Sequence, residues 1–353
     1  MSGTAPTSLR SIADRVEARL DELLSAERER WATFDSDLAH PIDEIRRLVM
    51  SGGKRLRPAF THWGYVAAGG GTDDQIDVDA GAAFELMHAF ALFHDDVMDD
   101  AVTRRGQPTT HTLAAEQHTA EGWAGEARRF GEGVAILVGD LAFVYADRLM
   151  EGAPPEAMRI WNELRVELNI GQYLDILGSV QSIRDVDKAE RICRYKSGKY
   201  TIERPLHLGA VLAAPEREHE LLPALSAYGL PLGDAFQMRD DVMGAFGEET
   251  LTGKSVGGDL REGKPTPLLA RAVRRADAAQ LAVLAEVGSP GLDGNGVARI
   301  QQVIIDTGAL AELEDHITAL TESAIAAIED AAIADLAKSE LVELAEYVSW
   351  RNV

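Results

Sequence analysis

"ALFHDDVMDDAVTRRGQPTTH", residues 91–111, sets four aspartates into six positions directly after a run of apolar side chains. On a helix, Asp95 and Asp99 share one face, a turn apart. Asp96 flanks that face, and Asp100 lies one turn beyond Asp96. Like charges at this spacing destabilise a bare helix. A divalent cation offsets the repulsion, and hard carboxylate oxygens suit Mg2+, which shares itself with substrate phosphates. The bland alternative is a solvated helix end. The abrupt exit from an apolar helix argues for the cation.

About 145 residues later, "FQMRDDVMGAFGEE" repeats the arrangement, with Asp240 and Asp241 closing another apolar helix. Two helices of an α bundle, each bringing a carboxylate pair to the same level, face each other across a cavity. That geometry makes a multi-metal site.

Basic residues fall beside glycines: Lys54 and Arg57 in "SGGKRLRP", Lys196 and Lys199 in "YKSGKYT", Lys254 and Lys264 in "TGKSVGGDLREGKPTP". Arg104 and Arg105 follow the first aspartates by a short loop. Each alone reads as surface charge. Beside carboxylate clusters they suggest two diphosphate sites, one bridged by metal and one bound by basic side chains alone. No P-loop pattern occurs.

The 353 residues carry a net charge of -23, so nucleic acid is an unfavourable partner. Cys193 is the only cysteine, which removes any intrachain disulfide and leaves little for a thiolate metal site. The first twenty residues lack the apolar core of a signal peptide, and no stretch is long and apolar enough for a membrane span. A cytoplasmic protein is expected.

The apolar spacing is helical throughout. Ile12, Val16, Leu20, Leu23 and Leu24 mark a first amphipathic helix after a loose tail at 1–8. "HPIDEIRRLVMSGG" is a second, ended by Gly52 and Gly53. A long apolar stretch runs from Val78 to Asp100, and helical patterns cover 131–151, 156–180, 186–213, 216–246, 265–286, 297–308 and 310–348. Period-two alternation is scarce. The fold class read from this is all-α, one domain over 1–353 with about a dozen helices.

The motifs as a set resemble the trans-isoprenyl (polyprenyl) diphosphate synthases, and most nearly the bacterial geranylgeranyl diphosphate synthases. "DDVMD", "RRGQPTTH", "GGKRLRP", "GQYLD" at 171–175, "KYT" at 199–201, "FQMRDD" and "GKPTP" stand in the family's order from about residue 40 onward. The resemblance implies an isoprenoid synthase-type bundle around a deep central cavity, usually as a homodimer. It implies head-to-tail joining of isopentenyl diphosphate to an allylic diphosphate. Position by position, Asp95, Asp96 and Asp99 match ligands of two Mg2+ and Asp240 the ligand of a third, with Asp241 in support. Arg104, Lys199, Lys254 and Lys264 match the allylic diphosphate site, with Gln237 beside it and Thr201 near the ionising carbon. Lys54, Arg57, His88 and Arg105 match the isopentenyl diphosphate site. His88 lies two turns before Asp95 on one face; His94 reads as a core histidine. Gln172 and Asp175 either line the cavity or fix helix contacts. The roles of the first forty residues and of the tail "SWRNV" are open, with Arg351 a candidate to close over the diphosphate.

The second motif departs from the family's pattern, since Gly244 stands where its last aspartate usually is. The run Asp240 to Glu248 also partly resembles the metal motif of class I terpene cyclases, which makes cyclisation an alternative. A non-catalytic partner subunit is another, although such subunits typically lose aspartates that this chain keeps. Product length turns on Phe90 and Ala91, five and four residues before Asp95, with Met87 and Phe84 further down. One aromatic beside a small residue resembles the C20 synthases; farnesyl or longer products are the alternative within the family.

Overall fold

Leu9, Ile12, Val16, Leu20 and Leu24 are all buried along one side of α1 (Thr7–Ala32), as the apolar spacing predicts. The computed structural model describes residues 5–247 and 257–350. Thr7 and Ser8, expected in the loose tail, belong to α1. The helix starts at Thr7, and Leu9 is already buried against the body of the protein.

Next come α2 (His40–Met50), α3 (Leu56–Ala67) and α4 (Gln75–Met98), the helix that carries the first aspartates. A two-residue hairpin follows, Thr103–Arg104 paired antiparallel with Gln107–Pro108. It is the only strand structure among the described residues, so the all-α class stands. The chain continues through α5 (Thr110–Ala120), α6 (Ala127–Leu149), α7 (Pro155–Val180) and α8 (Val186–Cys193). A π-helical segment, Arg194–Glu203, leads into α9 (Arg204–Ala213), and then α10 (Glu218–Phe246) brings the second aspartate pair. Beyond residue 256 lie α11 (Gly258–Glu262), α12 (Pro267–Arg275), α13 (Ala278–Leu284), α14 (Gly294–Asp306), α15 (Ala309–Glu329) and α16 (Asp335–Trp350). No helix among the described residues is long and apolar enough to cross a membrane.

Three departures have local causes. The pattern over 265–286 divides because Asp277 caps a new helix: it accepts from the Gln280 amide while the Gln280 side chain accepts from its own. The pattern over 310–348 divides because Lys338 Nζ donates to the Glu329 carbonyl at 2.9 Å, closing the end of α15. Helix α5 had too weak an apolar period to be read, although its Ala114 and His118 are buried.

The apolar core has three parts. The largest joins α4, α6 and α7 to α1 and α2; Phe84, Leu86 and Met87 of α4 have no accessible surface within it. Each such burial stabilises by roughly 1.5–3 kcal/mol. A second part joins α3, α9, α10 and α16, and a third joins α10 to α12, α14 and α15. Helices α3 and α9 cross backbone to backbone, because a Cβ at Gly209 would fall 1.9 Å from the Thr61 carbonyl oxygen. Alanine at Gly209 would force that crossing apart. The close approach fixes α3, which carries Arg57, against α9, into which the segment carrying Thr201 leads.

Candidate active site

The last turn of α4 and its C-cap residue place Asp95, Asp96 and Asp99 together, as the four-residue spacing requires. Arg104, on the hairpin that follows, turns back over them: its Nε donates to Asp96 at 2.6 Å and an Nη to Asp95 at 3.2 Å. Gln172 of α7 donates to Asp95 at 2.9 Å. Lys196 Nζ lies 2.5 Å from Asp175 and 3.5 Å from Asp95. Gln172 and Asp175 therefore stand beside the aspartates and at the same time tie α7 to its neighbours.

Electrostatically the three aspartates are unequal. Burial opposes the charge on Asp95, but Lys196, Lys264 and Arg104 outweigh it and hold its pKa below the usual value. Burial pushes Asp96 up to about 6 despite Arg104. Burial, and then Asp95, raise Asp99.

Asp240 and Asp241 sit at the matching end of α10, Asp240 half-buried and Asp241 buried. Burial and then Asp259 raise Asp241 well above an ordinary carboxyl. Lys264 stands between the two clusters, 3.6 Å from Asp99 and 2.7 Å from Glu262. Burial works against its ammonium, but Asp259, Glu262 and Asp99 more than compensate and raise its pKa. Asp259 was not singled out from the sequence, although "GGDLREGK" sets it five residues before Lys264. A Cβ at Gly244 would fall 2.0 Å from Asp259 Oδ2. The Asp259 carboxylate thus occupies the space beside the residue where the motif's last aspartate is missing.

The donor set fits Mg2+. Carboxyls raised by burial and by one another lack positive charge. Among the described residues no three acidic or imidazole groups converge into a ready-made cage. Mg2+ is commonly bound that way, through one or two carboxylates with substrate phosphates completing its shell.

Beside the first aspartates lies a cationic group. Gly53, at φ +155°, backs onto the Arg105 and Arg55 guanidinium groups, where a Cβ would meet nitrogens at 3.5 and 3.6 Å. Arg105 donates to Ser51 Oγ at 3.1 Å and to the Gly52 carbonyl. Arg55 is buried and neutralised by Glu17 and Glu85, so it braces the turn and leaves the free charge to its neighbours. Arg57 donates to Thr201 Oγ1 at 3.0 Å and lies over the Tyr200 ring at 4.3 Å. Its Nε and the Tyr200 hydroxyl are buried without a partner. His88 faces the Tyr200 ring at 6.3 Å, and burial, then Arg57 and Arg105, hold it neutral. Lys54 is half-buried in the same turn. His94 is a structural residue, bonded to the Ile136 carbonyl at 3.1 Å.

Three residues make other contacts than the resemblance implies. Lys199 does not reach the aspartates: it pairs with Glu167 and lies 3.8 Å from Glu203. Lys196 takes the position expected of it, because i→i+5 winding between Arg194 and Glu203 turns the two lysines to different faces. Thr201 is buried and accepts from Arg57, so it belongs with the second anion site. Gln237 donates to Asp241 at 3.0 Å and so orients a carboxylate. Lys254, Glu248 and Arg351 lie outside the described residues. Of the chain-length residues, Ala91 is partly accessible on the Asp95 face. Phe90 is turned to α6, its ring 4.8 Å from Phe143, and Met87 is fully buried.

The polyprenyl synthetase family model matches residues 40–304. The geranylfarnesyl diphosphate synthase of Aeropyrum pernix is 32% identical over 288 residues, 78% of this chain and 83% of that protein. The geranylgeranyl diphosphate synthase of Mycobacterium tuberculosis is 36% identical over 241 residues, 66% of this chain and 63% of that protein. The crystal structure of geranylgeranyl pyrophosphate synthase from Corynebacterium glutamicum, complexed with isoprenyl diphosphate and magnesium, superposes with a TM-score of 0.91 at 37% identity. That match covers 97% of this chain and 99% of the other. With two aspartate-lined helix ends, a lysine between them and an arginine group alongside, the chain belongs to the polyprenyl synthetase family.

Proposed function

We propose that the enzyme condenses isopentenyl diphosphate head-to-tail with an allylic diphosphate and releases geranylgeranyl diphosphate. The observation that carries this reading is the pairing of two anion sites. One lies between the aspartates, with Lys196, Lys264 and Arg104 at its rim. The other is metal-free, formed by Arg57, Arg105, His88 and Lys54. Condensation needs two diphosphates side by side. A cyclase needs one, and a non-catalytic subunit needs neither.

Asp95, Asp96 and Asp99 would hold two Mg2+, and Asp240 with Asp241 a third. When bound, the ions neutralise the diphosphate that leaves the allylic carbon. Lys196, Lys264 and Arg104 add fixed positive charge where the anion develops. Arg57 and Arg105 hold the second diphosphate, and neutral His88 bonds to it without adding charge. The allylic C–O bond breaks, the π bond of isopentenyl diphosphate attacks the cation, and a proton leaves to the released diphosphate. The apolar residues below Asp95 keep water from the cation.

We take the enzyme to be a cytoplasmic homodimer. Leu137 and Val144 of α6 and Val166, Ile170, Tyr173 and Val180 of α7 are exposed apolar residues that a second copy would cover. Light scattering tests the dimer. Purified enzyme given Mg2+, isopentenyl diphosphate and each primer in turn tests the reaction. C20 diphosphate by mass spectrometry is the expected product, and mainly C30 or longer product would overturn the chain length.

A further inference from the structure

Two side-chain contacts bridge α4 and α7 at equal intervals. At the aspartate end Gln172 donates to Asp95 at 2.9 Å. Eleven residues earlier on both helices, the rings of Phe84 and Trp161 meet edge-on, with centroids 5.4 Å apart at 82°. Eleven residues make three turns and about 16 Å of rise. The helices therefore run parallel and in register between a polar pair and an aromatic pair. His88 and Ala91 of α4 lie between, partly accessible although inside the bundle. Phe84 and Trp161 have no accessible surface. On α4 the accessible surface ends above the aromatic pair, and on α7 Leu164 and Leu168, between the two contacts, are buried.

Trp161 is held by more than packing. Its Nε1 donates to Asp147 Oδ1 of α6 at 2.7 Å. Arg165, one turn on, donates to both oxygens of the same carboxylate at 2.7 and 2.8 Å. The guanidinium lies over the Trp161 ring at 5.5 Å and over Phe143 at 5.1 Å. A buried indole N–H needs an acceptor. An acceptor whose two oxygens are both held by one arginine nitrogen fixes the ring angle as well as satisfying the group. Tyr200 closes another side, 6.4 Å from Phe84. None of these contacts is needed for the chemistry at the aspartates.

We propose that Trp161, positioned by Asp147 and Arg165, is the floor of the hydrocarbon channel and sets the longest product. The inference rests on the prenyl-transfer reading. An extended chain advances ~3.5 Å over three bonds, so a four-bond isoprene unit advances roughly 5 Å. Three units span roughly 14 Å and fit the depth of about 16 Å; four units span roughly 19 Å and do not. A C15 primer is therefore accepted, and the C20 product is too long to re-enter as a primer.

The test is product analysis with Mg2+, isopentenyl diphosphate and either farnesyl or geranylgeranyl diphosphate as primer. Wild type should convert the first and refuse the second. Trp161→Leu should lengthen the main product by at least one isoprene unit and accept the C20 primer, and Phe84→Leu should act in the same direction. Asp147→Asn weakens the clamp and leaves the ring in place. It should broaden the product distribution while the KM for isopentenyl diphosphate stays constant, which a general loss of stability would not do. A folded Trp161→Leu enzyme with unaltered products, or a wild type that extends geranylgeranyl diphosphate, overturns the floor. If Trp161→Leu does not fold, Asp147→Asn decides: a broadened distribution supports the floor, and an unchanged one overturns it. A wild type that makes no prenyl diphosphate from any primer refutes prenyl transfer itself, which is a distinguishable result.

Discussion

Lys196 and Asp95 face each other across the site, 3.5 Å apart, with Asp175 2.5 Å from the same ammonium. Lys199, three residues on, is held by Glu167 and does not face the aspartates. Lys196→Ala should therefore lower kcat by about 10²-fold, the usual effect of removing one charge-stabilising donor from an active site. Lys199→Ala should leave kcat nearly unchanged, because Arg204 still neutralises Glu167 through two bonds at 2.7 Å. Steady-state kinetics of both variants at fixed Mg2+ check the assignment. The reverse order of damage would return the catalytic role to Lys199.

The same pair marks where the sequence was legible. Asp95 and Asp96 lie on regular helix and Asp99 is its C-cap, so the spacing gave their nearness directly. Lys199 is assigned from the resemblance of "KYT" alone, and on a segment with i→i+5 bonds it turns to a different face from Lys196. Asp259 was illegible for another reason: its place is defined by contact with a glycine in a distant helix, and a glycine leaves no pattern. The all-α class needed only the repeated apolar spacing. The division of the last helices depended on single caps such as Asp277.

Ala91 shares the face of Asp95 one turn below it and remains partly accessible. A phenylalanine there would project into the strip between α4 and α7, well above the Phe84–Trp161 contact. Ala91→Phe should shorten the main product by at least one isoprene unit while the KM for isopentenyl diphosphate holds steady. Mass spectrometry of the products gives the answer, and an unchanged distribution would take Ala91 off the path of the tail.

Restoring the aspartate that the second motif lacks should do harm. Any Cβ at Gly244 meets Asp259 Oδ2 at 2.0 Å and Cγ at 2.6 Å. Gly244→Asp adds this overlap, costing about 1–3 kcal/mol. It also adds a negative charge near Asp241, whose pKa is already raised by burial and by Asp259. The melting temperature should fall by several degrees, at roughly 2–4 °C per kcal/mol. Pairing the change with Asp259→Gly removes the overlap and should recover most of the loss. A single variant as stable as wild type would show that Asp259 moves aside freely.

His207 supplies a pH test far from the metal site. Its Nδ1 lies 3.4 Å from an Arg204 Nη, and its Nε2 lies 3.0 Å from Ser226 Oγ. Ser226 donates its own proton to Glu203 at 2.7 Å, so the hydroxyl accepts from Nε2–H and the ring is the neutral Nε2–H tautomer. Protonating Nδ1 would set two donors against each other. Burial, and then Arg204, lower the imidazole from 6.5 to about 3. Between those values the unfolded chain binds a proton that the folded chain refuses, so stability falls as the pH drops through the window. The slope from this one group is at most about 1.4 kcal/mol per pH unit, and it vanishes above the unfolded value. Urea unfolding of wild type and His207→Gln from roughly pH 4 to 6 isolates the contribution, since the carboxylates titrate alike in both. The variant should lose close to one proton's worth of slope, and equal slopes would mean that the folded protein accommodates the charged imidazole.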